Sequence, residues 1–563
     1  FKQKTAYEIS LGLVGSEMCI RDRLKAVVCS TSLELGIDIG YIDLVAQIGS
    51  PKSISRCLQR VGRAGHKVGE TSKGRLIGVE LDDLVEMGVM IREAYRNRLD
   101  RVHIPKNCLD VLAQHIVGMA LEKKWKVEEA YKLVKSSYCY KDLKISEFIK
   151  VLRYLSGKYY NLEGYRVYGK IWFDEKEGVF GRRGKMLRAI YSLNVGTIPD
   201  EVAVKVITKN GRKIGAIEER FLERLMPGDI FVLGGKTYKF LYAKGMKAVV
   251  EPAPHSKPTV PSWYSEILPL SYDLANAVAE YRGKIMEKIA RKERRETIIK
   301  TLRKELRCNK NAAETIYSYL KAELEFLKMI GCKVIPSKRN VIIEKYIDNG
   351  KLNIIFHSLI GRKANDALSK AYAYVIANEY KTNVAITLSD NGFILTIPKE
   401  VNVDIQKMLR KVKSNNIREL LEKAVEQTEV FRRRFRHCAT RALMILRNYK
   451  GHEIKVEKQQ LNAQVLLEVC KEIEGFPIIQ ETKREILEDY MNIEGAIEFL
   501  KEVERGERIY YILREYDLPS PFAHEMVTIG LSDIVLMEDR KEFLRRLYDE
   551  VMERLKCKLN MQE

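Results

Sequence analysis

Two stretches near the start of the chain decide how it is read: STSLELGIDIG (Ser30–Gly40) and, after an intervening IDLVAQIGSPKSISRCL, QRVGRAGH (Gln59–His66). Around them LKAVVCS reads as a short apolar strand, LELGIDIG as a glycine-punctuated turn, and IDLVAQIG as a second strand with β-branched content. A helix is expected from Ser53 or Ser55, followed by the glycine cluster VGRAGHKVG and a further strand in GRLIGVEL. Strands that alternate with helices predict a parallel α/β sheet.

The chain of 563 residues is several times the usual domain length, so about three or four units are expected, each able to bury a core. Lys plus Arg number 98 against 76 Asp plus Glu, a formal charge of +22. An excess of that size points to a polyanion, with nucleic acid first. The longest apolar run is Ala371 to Ala377, far below a membrane span, which argues against a membrane partner. The ten cysteines are scattered without a CxxC pair or a histidine at metal spacing, so neither a zinc site nor a disulfide framework is indicated and a reducing, cytoplasmic location is expected. The stretch YEISLGLVGSEMCIRD (Tyr7–Asp22) resembles translated sequencing adapter. Residues 1–23 are therefore set aside, and the protein is expected to continue upstream of Leu24.

Beyond the opening α/β segment the patterning changes. LDVLAQHIVGMAL, VEEAYKLVK and SEFIKVLRYLSG carry helical periodicity, and with a strand pair near Tyr165 to Phe173 they outline a winged helix. From Thr197 to Val260 apolar and polar residues alternate between turns at KNG, PGD and GG, which predicts a small β sheet or barrel. Residues 271 to about 330 read as basic helices. A second α+β segment follows, with strands near 352–357, 383–388 and 392–397 and a helix between Lys363 and Glu379, and then a helix-dominated remainder.

The motif pair Ser30–Gly40 and Gln59–His66 resembles motifs V and VI of superfamily-two helicases, and with the GSPKS spacer and the closing His66 it resembles the Lhr (large helicase-related) family, archaeal type. The chemistry fits, because ATP clamped between two RecA-like domains needs cations where charge develops during transfer, and the arginine fork supplies them. The resemblance implies that Arg63 is the arginine finger, that Arg60 and Gln59 line the nucleotide cleft, that Gly36 and Asp38 sit near the nucleotide sugar, and that Ser30 and Thr31 contact a nucleic-acid phosphate. Many relatives outside this family have a second arginine where His66 stands, so either Arg63 acts alone or His66 donates a weaker hydrogen bond. IPKNCLDVLAQHIVGMA, VGTIPDE with GDIFVLGG, and further on FRHCATRALMILRNYKG, FPIIQETKREILEDYM and LPSPFAHE extend the resemblance over nearly all of residues 24–563.

Two other stretches read as decoys. GGKT (Gly234–Thr237) lacks the earlier glycine of a P-loop, since Ile230 occupies its place, and its flanks alternate as strand, turn, strand. Asp174 and Glu175 in WFDEKEG are followed by Glu177 where a DExH box would continue, without an apolar strand before them. The chain is thus read as lacking the lysine and acidic pair that hold ATP and Mg2+, with no metal ligands of its own and no ATPase activity alone.

Among binding candidates, Trp263 follows a proline bend in VPSWYSE and either stacks on a base or plugs the sheet core. Ile198, in the turn-like GTIPD, is either a wedge at a duplex junction or a core residue. Residues 281–310 hold twelve Lys or Arg against four Glu, which points to phosphate contacts, with Arg291, Lys292, Arg294 and Arg295 as candidates. A second cluster, Arg432 to Arg447, places Arg434 and Arg441 on one helical face and is expected to form a cationic rim over a packed helix. His437, without metal-spaced partners, reads as structural.

The predicted fold is multidomain α/β plus α+β. Residues 24–100 form part of a second RecA-like domain, 101–185 a winged helix, 186–340 a β-rich and basic helical region, and 341–563 a helicase-associated α+β region. The resemblance implies the C-terminal part of an ATP-dependent, 3′ to 5′ helicase using ATP and Mg2+ on single-stranded or branched DNA or RNA, in repair or remodelling. The alternative is a nucleic-acid-binding or strand-annealing module without ATPase activity.

Overall fold

A computed structural model describes residues 26–29, 34, 42–65, 71–159, 167–199, 203–223, 225, 227–233, 236–254, 268–348, 350–426, 428–528, 545 and 548–554. The opening unit is α/β as expected: strands Val45–Ile48 and Gly74–Ile77 pair in parallel, with the helix Ile54–Val61 crossing between them. The expected LKAVVCS strand is not found in its described part: residues 26–29 are not in a strand, and Val28 is 95% exposed.

The helix Leu81–Ala94 carries this unit onto the basic helices. Ile54, Cys57, Val85, Val89 and Met90 share one core with residues from Leu270 to Leu324. Gly88 permits the contact, because a Cβ there would meet the Leu306 side chain at 2.9 Å. The helices Tyr272–Ala290, Arg295–Leu306 and Lys310–Met329 thus pack against the α/β unit.

The winged helix forms from helices Leu109–Glu122, Val127–Lys135 and Ile145–Leu155, with a three-stranded sheet of Trp125–Lys126, Val179–Arg182 and Ile171–Asp174 in that spatial order. The β-rich segment is a five-stranded sheet ordered Lys213–Ile217, Val204–Thr208, Lys247–Pro252, Lys236–Lys244, Ile230–Leu233. Its one parallel pair joins Val204–Thr208 to Lys247–Pro252, and Val206, Phe231, Phe240, Ala248 and Val250 fill one face. Of GGKT, Lys236 and Thr237 lie in a strand where they oppose Leu233 and Val232, and Asp174 and Glu175 lie at the wing, where Glu175 pairs with Arg153 and Lys158.

The second α+β segment has strands Lys351–Phe356, Ala385–Leu388 and Phe393–Pro398 and the helix Arg362–Tyr380. Two further strands lie in stretches not read as strands: Asn340–Asp348, and Ile509–Tyr516, which pairs with it in parallel. Ile509–Tyr516 comes from the remainder expected to be helical and closes the sheet at its edge. No described helix is long and apolar enough to cross a membrane.

A polar cluster is buried where this sheet meets the helix Lys310–Met329. Glu323 accepts from Phe522 N at 3.0 Å, and Glu344 accepts from Ser520 N at 3.1 Å and contacts the His357 ring. Burial, with the nearby Glu344, pushes the Glu323 carboxyl up to about 8. A folded-state value raised above the unfolded one gives stability that is present at low pH and lost as pH rises through about 8. His357 is raised as well, since Glu344 outweighs its burial, and contributes in the same sense. Replacing Glu323 by Gln is therefore expected to raise the melting temperature relative to the parent, by a margin that grows from pH 5 to pH 8. A margin that is flat with pH in thermal scans would show that Glu323 is ionised in the folded protein.

Candidate functional site

The helix Ile54–Val61 is fixed firmly at its start. Ser53 caps it, accepting from Arg56 N, while the Ser53 hydroxyl and Ser55 N donate to Asp100 at 2.8 and 3.0 Å. Ser271, at the start of the first basic helix, donates to the same carboxylate. Just before, Lys52 takes a left-handed conformation (φ 63°) and places its ammonium 3.0 Å from Glu86, 3.5 Å from Asp83 and 3.6 Å from Asp390. Burial pulls the Lys52 pKa down, yet these carboxylates hold it above the ordinary value, while burial lifts Glu86 to about 7. Asp390 belongs to the second α+β segment, so three parts of the chain meet at the helix's first turn.

At its other end Gly62 closes the helix, donating to Leu58 O at 2.7 Å, and Gly65 (φ 68°) turns the chain away. Arg60 points back into its own unit: Nε and Nη2 reach Glu34 at 3.0 and 2.8 Å, and Nη1 reaches Gln47 at 2.9 Å. Its fork is thereby engaged by an acid of the first motif and an amide of the strand beside it. Arg63 lies in the turn beyond the helix, partly exposed, its Nε 3.2 Å from Gln59 O, and the Gln59 side chain is exposed. The structure brings Gln59, Arg60 and Arg63 together on one helix end. Ser30, Thr31, Gly36, Asp38, His66 and Trp263 lie outside the described residues.

Ile198 is 82% exposed, so the core reading of this residue is corrected. Its loop is held from two sides. Gln114 of the winged helix exchanges two hydrogen bonds with Gly196, at 2.9 and 3.1 Å. Arg447 donates to the carbonyls of Asn194 and Ile198, at 3.1 and 3.2 Å, and the buried Asn194 amide accepts from Arg447 N and Asn448 N.

Arg291, Lys292, Arg294 and Arg295 are all exposed, at a break between helices and not on one continuous helix, with Lys292 at φ 59°. Two of them have acidic neighbours at long ion-pair distance: Arg291 is 3.8 Å from Glu287 and Arg295 is 4.0 Å from Glu314.

The second arginine cluster is not the expected rim. In the helix Glu429–Arg441, Arg433 and Arg436 are buried and both pair with Glu219 of the β-rich segment, at 3.1 and 2.9 Å. Arg433 also donates to Gly245 O at 2.8 Å. Arg434 reaches Glu223 at 3.0 Å and Glu485 at 3.4 Å, and Arg441 pairs with Asp110 at 2.5 Å and with Glu485. Heptad spacing placed Arg434 and Arg441 on one face, but their carboxylate partners are far away in sequence and only folding collects them. Asp110, Cys438 and Glu485 bring possible ligand atoms within 4.8 Å of one another, and the Arg441 guanidinium is the cation already paired with both carboxylates. His437 is structural as expected; burial and then the surrounding arginines hold its pKa well below the ordinary value.

Three family descriptions match the chain: "Helicase conserved C-terminal domain" at 17–67, "Large helicase-related protein, winged helix domain" at 92–260, and "DEAD/H associated" at 335–523. ATP-dependent helicase Lhr-Core protein 2 of Thermococcus barophilus is 47% identical over 94% of this chain and 60% of the relative. ATP-dependent helicase Lhr-Core of Methanothermobacter thermautotrophicus is 45% identical over 95% of this chain and 61% of the relative. The chain thus spans about three fifths of the length of these relatives. The solved structure of Mycobacterium smegmatis helicase Lhr bound to ssDNA and AMP-PNP superposes with a TM-score of 0.70 at 25% identity, over 93% of this chain and 61% of that one.

Proposed function

Because the chain belongs to the Lhr family of helicase-related proteins, we propose that it supplies the arginine-bearing side of an ATP-driven motor, together with domains that grip a nucleic-acid strand. The observation that carries the reading is the division of labour on one helix end. Arg60 is locked to Glu34 and Gln47, bridging the two motifs, while Arg63 lies at the partly exposed turn beyond the helix, the side from which a triphosphate would approach. ATP would be neutralised from this side by Arg63, with Gln59 beside it, while Mg2+ and the phosphates are held by a P-loop and an acidic pair that this chain does not carry. By the family resemblance, Gly36 and Asp38 adjoin the nucleotide sugar, His66 closes the motif, and Ser30 and Thr31 touch a phosphate of the strand. The substrate proposed is single-stranded or branched DNA or RNA, tracked 3′ to 5′, as in repair or remodelling. Ile198, an exposed apolar tip on a braced loop, acts as the wedge at the junction, and Trp263 stacks on a base.

Two measurements test this. The chain alone should bind single strands without turning over ATP, and joined to a P-loop-bearing half of the motor it should hydrolyse ATP when the strand is present. ATP turnover by the chain alone, or binding without turnover in the joined protein, would overturn the motor reading; the second outcome would leave a binding or annealing module. Neutralising Arg291, Lys292, Arg294 and Arg295 together should weaken binding to every sequence and lower the salt slope by up to about 0.7 per lost phosphate contact. A full slope in the variant would make this break between helices a solvated surface.

A further inference from the structure

The outward face of the five-stranded sheet carries a pattern that stability alone does not explain. Cross-strand register places Lys205 beside Lys247 and Lys247 beside Lys244, so three ammonium side chains stand in one row over three adjacent strands. All three residues are exposed. Neighbouring strands lie only about 4.8 Å apart, and like charges set directly opposite each other repel. Among the described residues one carboxylate salt-bridges this row: Glu457, 2.7 Å from Lys205. Lys205 and, more weakly, Lys247 hold the Glu457 carboxyl below its ordinary range. The row therefore keeps a net positive charge.

The next row on the same face is Ile207, Val249 and Tyr242. Val249 is only 5% exposed and forms a floor, whereas Tyr242 is 52% exposed. Among the described residues no other ring stacks on Tyr242. The turn that joins the Lys244 and Lys247 strands is held from behind, where the buried Arg433 donates to Gly245 O at 2.8 Å and lies against the Met246 sulfur. A stiff hairpin thus presents two cations next to an open aromatic ring.

We propose that this sheet face, with Tyr242 as stacking platform and Lys244, Lys247 and Lys205 as phosphate contacts, is a docking track for a single nucleic-acid strand. It is separate from the helix-end arginines, from Ile198 and from the basic break between helices, and it rests on the reading of the chain as a nucleic-acid binder. The chemistry matches on both counts: a phosphodiester supplies the anions that the lysine row lacks, and every base offers a face to stack on tyrosine.

The test is fluorescence anisotropy of a labelled oligothymidylate and of an abasic strand of equal length, titrated with the full chain at several salt concentrations. Tyr242→Ala should weaken binding of the oligothymidylate by roughly 5- to 150-fold, and Tyr242→Phe should keep it. On the abasic strand the parent and Tyr242→Ala should bind alike, which a merely structural tyrosine would not produce. Lys244→Gln with Lys247→Gln should lower the salt slope by up to about 1.4, two single-strand contacts. If the parent binds and all variants bind with the same affinity and slope, the sheet face is not the track, while the nucleic-acid reading stands. Equal loss on both strands by Tyr242→Ala would overturn the stacking role. Failure of the parent to bind either strand would remove the broader reading and this one with it.

Discussion

Replacing Arg63 by alanine, in a protein that joins this chain to the ATP-holding half of the motor, is expected to lower ATP turnover by about 10³- to 10⁵-fold while leaving strand affinity near normal. A positioned arginine acts on charge that peaks in the transition state, so its loss appears in turnover far more than in binding. Lysine should rescue little, because a point charge does not reproduce a planar fork. Arg60→Ala makes the contrast. Its guanidinium holds Glu34 and Gln47, so the variant should lower the melting temperature along with turnover. If Arg63→Ala turned over ATP at the parent rate, the helix end would be structural, and Arg60 would have to leave Glu34 to act.

The second large effect is expected at Glu219. Arg433 and Arg436 are buried with side-chain exposures of 0% and 2%, and both lean on this one carboxylate. Glu219→Gln removes the carboxylate that both buried guanidinium groups share, leaving Arg433 only the more distant Glu429, at 3.8 Å, as an ion-pair partner among the described residues. Removing one partner of a buried pair costs about 3–5 kcal/mol, more than the pair contributes relative to an apolar replacement. Urea denaturation should show that loss, with the β-rich sheet released before the rest because Glu219 ties it to the helix Glu429–Arg441. Adding Arg436→Met should restore part of it, a non-additivity that a double-mutant cycle would measure. A change below about 1 kcal/mol would mean that water reaches the arginines.

How much of this was legible in the sequence varied with the range of the interaction. Local signals carried well. Glycine turns and strand alternation located the opening α/β unit, helical periodicity located the winged helix, and Lys351–Phe356, Arg362–Tyr380, Ala385–Leu388 and Phe393–Pro398 fell within a few residues of expectation. The strand Ile509–Tyr516 was missed because its partner, Asn340–Asp348, lies far upstream, and a parallel edge strand has no hairpin turn to announce it. The arginine cluster misled for a related reason: spacing gives the face of a helix but not what lies opposite. Glu219, Glu223, Asp110 and Glu485 come from three other elements and carry no motif. Ile198 misled for the opposite cause, since an isoleucine next to a proline reads more readily as core than as tip until its exposure and the bracing by Asn194, Gln114 and Arg447 are seen.

That bracing has a mechanical consequence. A loop tip with few hydrogen bonds is compliant, and a force applied to it is spent in bending the loop. Here the backbone leading to the tip is tied to the winged helix through Gln114, and the carbonyl of the tip itself to the C-terminal segment through Arg447, so a load on Ile198 passes directly into the core that these two parts share. If Ile198 is the wedge proposed above, a strand drawn past it would meet an obstacle that does not yield, and the work of each step would go into parting whatever is paired ahead of it.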